Sequence, residues 1–132
     1  MFRMIGYYEI ARDGDVIHVR SASEFNLEAA QDYARDMLVA IDAMPPTFAT
    51  LVEFEEPPII GPEVEESMRR SARVRAQRGM VAVAFVVANQ DAISVASAQW
   101  GRIYDGSGVA FAIFREVAPA RAWLQEQVGR AG

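Results

Sequence analysis

The sequence predicts an α/β domain spanning residues 1–132: one mostly parallel five-stranded sheet opened by an N-terminal β-hairpin, in the order β-β-α-β-α-β-α-β-α. Three features point there. Asp13-Gly14 lies between two short β-prone runs, which is a strong local hairpin signal. Residues 80–88 read MVAVAFVVA, apolar on both faces, as suits a central strand of a covered parallel sheet. After the hairpin, strand-like and helix-like stretches alternate, which implies parallel crossovers of a single hand.

The first two strands are residues 7–12 and 15–20, antiparallel across a type I′ turn, which needs φ > 0 at both central residues. Asn26 is expected to cap the first helix, with Phe25 just outside it as a staple residue. Leu27, Ala30, Ala34, Met37, Leu38, Ile41 and Met44 then recur on one helical face, and Pro45-Pro46 stops the run. Residues 47–54 form the third strand. A proline-rich loop, residues 55–61, leads into a second helix opening at Pro62, where a missing N–H costs nothing, and ending at Gly79. Asp91 is placed as cap of the third helix, whose apolar side is Ile93, Ala96, Trp100, Ile103 and Tyr104. Asp105-Gly106-Ser107-Gly108 ends that helix. Residues 109–114 form the fifth strand, and Pro119 opens a last helix carrying Ala120, Trp123, Leu124 and Val128, with fraying expected beyond Val128.

Composition narrows the function. The chain has 132 residues, 52% hydrophobic and 23% charged, enough to hold a core without staples. A net charge of −5 disfavours nucleic acid and anionic membranes as partners. There is no cysteine, which removes disulfides, thiol catalysis and Cys-ligated metals and fits a reducing, cytoplasmic compartment. All 13 basic side chains are Arg, so lysine Schiff-base chemistry is closed. Neither a signal peptide nor a transmembrane run is expected.

The hairpin YEIARDGDVIHVR, the phrase FNLEAAQDYARDM, the strand TLVEF, the apolar strand at Met80 and the ending VAFAIF…ARAWL together resemble the STAS family of anti-sigma-factor antagonists, and within it the SpoIIAA-like branch, with a more distant similarity in shape to Sec14 lipid-binding domains. The resemblance implies that fold, partner contacts near the second helix and, from the lipid-binding relatives, a cavity between sheet and helices. Phosphorylated members carry a Ser or Thr at the start of the helix after the third strand. Here that place reads Ile59-Ile60-Gly61-Pro62-Glu63, and the nearest hydroxyl is Ser67, about one turn further on.

The second helix carries Glu63, Glu65 and Glu66 early and Arg69, Arg70, Arg73, Arg75 and Arg78 later. Plain helix design accounts for much of this: acids at the positive end of the dipole, arginines at the other, with Glu65–Arg69 and Glu66–Arg70 as i,i+4 pairs. The excess of arginine also suits carboxylate or phosphate groups on a partner, with Arg69 and Arg73 outward and Arg75 and Arg78 leaning towards Val64. Ile59 and Ile60, after an inner strand's carboxyl end, are either a docking point or folded back onto the sheet. Trp100, Tyr104 and Phe111 either fill the core or line a cavity for a small apolar, lipid-like ligand. His18 would need Glu9 or Glu53 for acid–base work. Glu53, Glu55 and Glu56 form an acidic cluster that matches no metal loop. Ser94 and Ser97 stand outside any nucleophile elbow, and the Gly-x-Gly of residues 106–108 precedes a strand rather than a helix, which is no phosphate cradle. The expectation is a non-enzymatic interaction or regulatory module, without cofactor or metal. It would bind a protein or a second copy of itself as a homodimer through Arg69, Arg73, Ile59 and Ile60. A carrier of a small apolar ligand is the alternative.

Overall fold

A computed structural model of the chain describes residues 8–21 and 26–131; Tyr7 and the staple residue Phe25 lie outside them. The elements are β1 (Tyr8–Asp13), β2 (Val16–Ser21), α1 (Leu27–Ile41), β3 (Phe48–Phe54), α2 (Pro62–Gln77), β4 (Met80–Val87), a single 3-10 turn (Gln90–Ala92), α3 (Ile93–Tyr104), β5 (Ala110–Phe114) and α4 (Val117–Ala131). The strands lie in chain order, β1-β2-β3-β4-β5. β1 and β2 are antiparallel and every later pair is parallel, as the alternation of elements predicts.

Chain order has a physical consequence. Three successive crossovers of the same hand, each stepping one strand in the same direction, put their helices on one face of the sheet. α1, α2 and α3 accordingly share a core with Ile17, Val19, Val52, Phe54, Val83, Phe85 and Val87. The other face is left to α4, whose Ala120 and Leu124 pack on Val16, Ala49, Leu51, Ala82, Ala84 and Val86. β3 and β4 therefore bury both faces, which is why residues 80–87 carry no polar side chain.

Local chemistry sets most boundaries. The Asn26 side chain accepts a hydrogen bond from the Ala29 N–H at 2.8 Å and caps α1. Pro62 is the first residue of α2, and Gly79 just beyond that helix has φ +113°, the left-handed conformation that suits glycine at a helix end. Four placements differ from expectation. The hairpin loop is Gly14-Asp15, and only Gly14 has positive φ; glycine in the first central position is the type II′ arrangement, not I′. Asn89, not Asp91, provides the cap: its side chain accepts from the Asp91 N–H at 2.9 Å and starts the 3-10 turn that feeds α3. α1 stops at Ile41, ahead of Pro45-Pro46, and the chain leaves through turns closed by Ala43 and Met44 N–H groups. α4 begins two residues before Pro119 and continues past Val128 to Ala131. No helix among the described residues is long and apolar enough to cross a membrane.

Candidate functional site

The loop between β3 and α2 leaves the sheet at its carboxyl edge, where open α/β sheets place their sites. One side chain bonds its backbone at two points. Gln99, buried on α3, accepts from the Ile60 N–H through Oε1 at 3.1 Å and donates from Nε2 to the Pro58 carbonyl at 2.7 Å. Both amide functions are thus used on the backbone of one loop. Ile60 and Pro58 are drawn inward, while Ile59 between them is 85% exposed. The two isoleucines therefore part: Ile59 is exposed to solvent, whereas Ile60, expected beside it as a contact residue, belongs to the core shared by the three helices. Val95, one turn before Gln99 on α3, is 51% exposed. Gln99 was missed in the sequence, although it stands on the stripe Ala96, Trp100, Ile103, where a buried polar residue needs two partners to be tolerated.

The arginines of α2 have four different fates. Arg70 pairs with Glu66 at 3.7 Å, as i,i+4 spacing predicts. Arg69 loses its expected partner, because Glu65 is taken by Arg102 of α3 at 2.9 Å. Among the described residues neither Arg69 nor Arg73 has an ion pair. They stand one turn apart on the outer face, Arg73 beside the Pro46 and Gly79 end of the helix. That end is about 17 Å along the axis from Pro62, so Arg73 and Ile59 do not form one compact patch. Arg78 reaches across to Asp42 beyond the end of α1.

Arg75 is the exception: a fully buried arginine at 1% exposure. Helical spacing sets it about 20° from Val64 on the core stripe. Its Nη2 donates to the Tyr104 hydroxyl at 3.1 Å, and its guanidinium lies 5.7 Å over the Tyr33 ring. Nη1 has no hydrogen-bond partner among the described residues. Burial opposes the charge, but Tyr104 and Tyr33 outweigh it and hold the guanidinium above its ordinary value. Burial also pushes the Tyr33 phenol far up, so it stays neutral. Arg75 is a cation with no carboxylate counterion among the described residues.

The aromatic residues form a stacked cluster. Phe85 lies 5.0 Å from Trp100 and 5.7 Å from Phe54 between ring centres, and Tyr104 stacks on Phe111 at 6.4 Å. The cleft they leave, lined by Ser21, Tyr33, Pro58, Trp100 and Tyr104 among others, holds about 20 Å³, room for about one water molecule. Phe111 is not among its lining residues. Among the described residues this cleft is far smaller than a lipid-sized cavity. Ser67, the first hydroxyl along α2, is 7% exposed and turned into the protein.

On the opposite face, His18 and Glu53 meet. His18 Nε2 lies 2.5 Å from Glu53 Oε2, Arg20 approaches the same oxygen at 3.4 Å, and Arg121 of α4 approaches His18 Nδ1 at 3.4 Å while pairing with Asp13 at 2.9 Å. The pairing partner named from the sequence is thus present. Its surroundings are ion pairs that stitch α4 to the hairpin, and neither residue lines the clefts that hold Trp100, Arg75 or Arg73. Among the described residues no three His, Cys, Asp or Glu side chains are grouped to hold a metal.

Neither a protein-family model nor a curated protein matches the sequence. The fold does have a counterpart among solved structures: an uncharacterised protein of the DUF3478 family with a SpoIIAA-like fold from Shewanella loihica PV-4, similar over 94% of this chain and 98% of that one with a TM-score of 0.62 at 13% identity. At that identity the likeness speaks for architecture alone, and with the sheet order described above it establishes that this chain has a SpoIIAA-like fold.

Proposed function

We propose that the chain is a non-enzymatic interaction module of the cytoplasm that docks a protein partner through the loop between β3 and α2. The observation that carries this reading is the Gln99 clamp. A lone exposed isoleucine on a surface needs no explanation. Here a buried amide commits both its hydrogen-bonding ends to the residues on either side, so Ile59 is presented at 85% exposure on an ordered backbone. Ordering a loop before binding removes part of the entropy cost of association. Val95 on α3 is a second exposed apolar side chain, and Arg69, without an ion pair among the described residues, offers a cation about two turns down α2, suited to an acidic group on a partner. The narrow aromatic cleft of about 20 Å³ weighs against the apolar-carrier reading.

Photo-crosslinking in the native host tests the proposal. A crosslinking residue at position 59 is expected to trap one discrete partner, and the same residue at Gln125 on α4 is expected to trap none. Ile59→Asp should abolish the complex without lowering Tm. A trapped species at twice 14.6 kDa would identify the partner as a second copy. Equal trapping at both positions, or none at position 59, would refute the proposal.

A further inference from the structure

Arg75 does more than fill space: we infer that it forms the floor of a binding site for a small organic oxyanion, a carboxylate or phosphate, in the groove between α1 and α2. A guanidinium taken out of water is costly unless its charge and donors are met. Tyr104 meets one donor, the Tyr33 ring faces the cation, and Nη1 is left without a partner among the described residues. An apolar residue of similar volume would remove that unmet donor.

The groove itself has the right chemistry. Its volume is about 300 Å³, and Arg70, Arg75, Ser71, Leu38 and Val74 are among the residues that line it. That volume is at the lower end of the range for small-molecule sites. Arg70 is held only loosely by Glu66, at 3.7 Å and with 67% of its side chain exposed, so it can turn towards a better acceptor. Two arginines lining one groove favour an oxyanion over a neutral ligand, since charge-assisted hydrogen bonds are about twice as strong as neutral ones. The site is separate from the Ile59 loop, and neither depends on the other.

The test is a thermal melt of the full chain titrated with inorganic phosphate, and separately with glutarate, against sodium chloride at matched ionic strength. One or both oxyanions should raise Tm saturably by several degrees, with no rise in chloride. Arg70→Gln, at an exposed position, should raise the half-saturating concentration about tenfold or more. Arg75→Met should abolish the response and raise Tm of the ligand-free protein. If that variant does not fold, the Arg75 Nε–H resonance of the wild type decides, by shifting saturably with the oxyanion. A response to phosphate alone assigns the groove to phosphoryl groups, and a response to glutarate alone to carboxylates. No saturable response to either oxyanion, or one undiminished in Arg70→Gln with the Arg75 resonance unmoved, overturns the inference and leaves Arg75 satisfied by water alone.

Discussion

Gln99 shows how much of this molecule's behaviour can rest on one side chain. Its removal leaves the Ile60 N–H and the Pro58 carbonyl without partners in a place that water does not readily reach, and an unmet buried group costs about 1–3 kcal/mol. Gln99→Ala should therefore lower the unfolding free energy by about 2–4 kcal/mol in a denaturant titration and speed amide exchange at Ile60. A cost under about 0.5 kcal/mol, within the range of ordinary surface changes, would mean that the loop is held by Pro58 and Ile60 packing instead. The sequence does not disclose this clamp, because a glutamine between Ala96 and Trp100 has the same letter whether it faces solvent or two backbone groups from a loop 39 and 41 residues away. Ile59 and Ile60 were ambiguous for the same reason: only the anchor decides which one turns in. Arg75 was half legible. Its helical angle put it near Val64, but its lack of a carboxylate depends on what α1 and α3 bring to it.

Elements were easier to read than sites, because their signals are local. Periodicity, Asn26 and Pro62 define two helices without help from the rest of the chain, and the doubly apolar run of residues 80–87 declares its own burial. The misreadings were also local. Asp91 and Asn89 are both good caps, and which one acts depends on a single 3-10 turn. The hairpin turn moved by one residue because Gly14 takes the positive φ in the first central position, relieving Asp13 of it. The junction between α2 and β4 is the least forgiving. Gly79 has φ +113°, and a Cβ there would lie 2.0 Å from the Pro46 carbonyl oxygen, which backbone cannot easily avoid. Backbone strain of this kind costs about 1–3 kcal/mol before any clash is counted. Gly79→Ala should thus cost at least about 2 kcal/mol by denaturant titration, whereas Gly129→Ala, which has open space around it, should be neutral or better. Equal stability of the two variants would show that the junction yields.

The two faces of the sheet are stabilised very unequally. Among the described residues three helices cover one face and α4 alone serves the other, seated where Ala49, Ala82 and Ala84 let it come close. Among the described residues it packs chiefly on β3, β4 and β5, and the part of that face it leaves open, on β1 and β2, carries Glu9, His18 and Arg20 beside Glu53. Polar residues there are what an open face requires, and this explains why the His18–Glu53 pair exists without implying chemistry. Arg121 ties the rim of α4 to this network through Asp13. The helix is therefore anchored by two fully buried side chains, Ala120 and Leu124, and by one ion pair that is exposed on the Asp13 side and contributes about 0–1 kcal/mol. Leu124→Ala should cost about 2–5 kcal/mol, the range for a large-to-small change in a packed core, while Arg121→Gln should cost under about 1 kcal/mol. The way the loss appears matters as much as its size. If α4 and the sheet form one cooperative unit, Leu124→Ala shifts a single transition, seen alike by Trp123 fluorescence on α4 and by far-ultraviolet dichroism of the whole chain. If fluorescence changes first, α4 detaches as a unit of its own, and the face holding Val16, Leu51 and Val86 opens before the other core is disturbed.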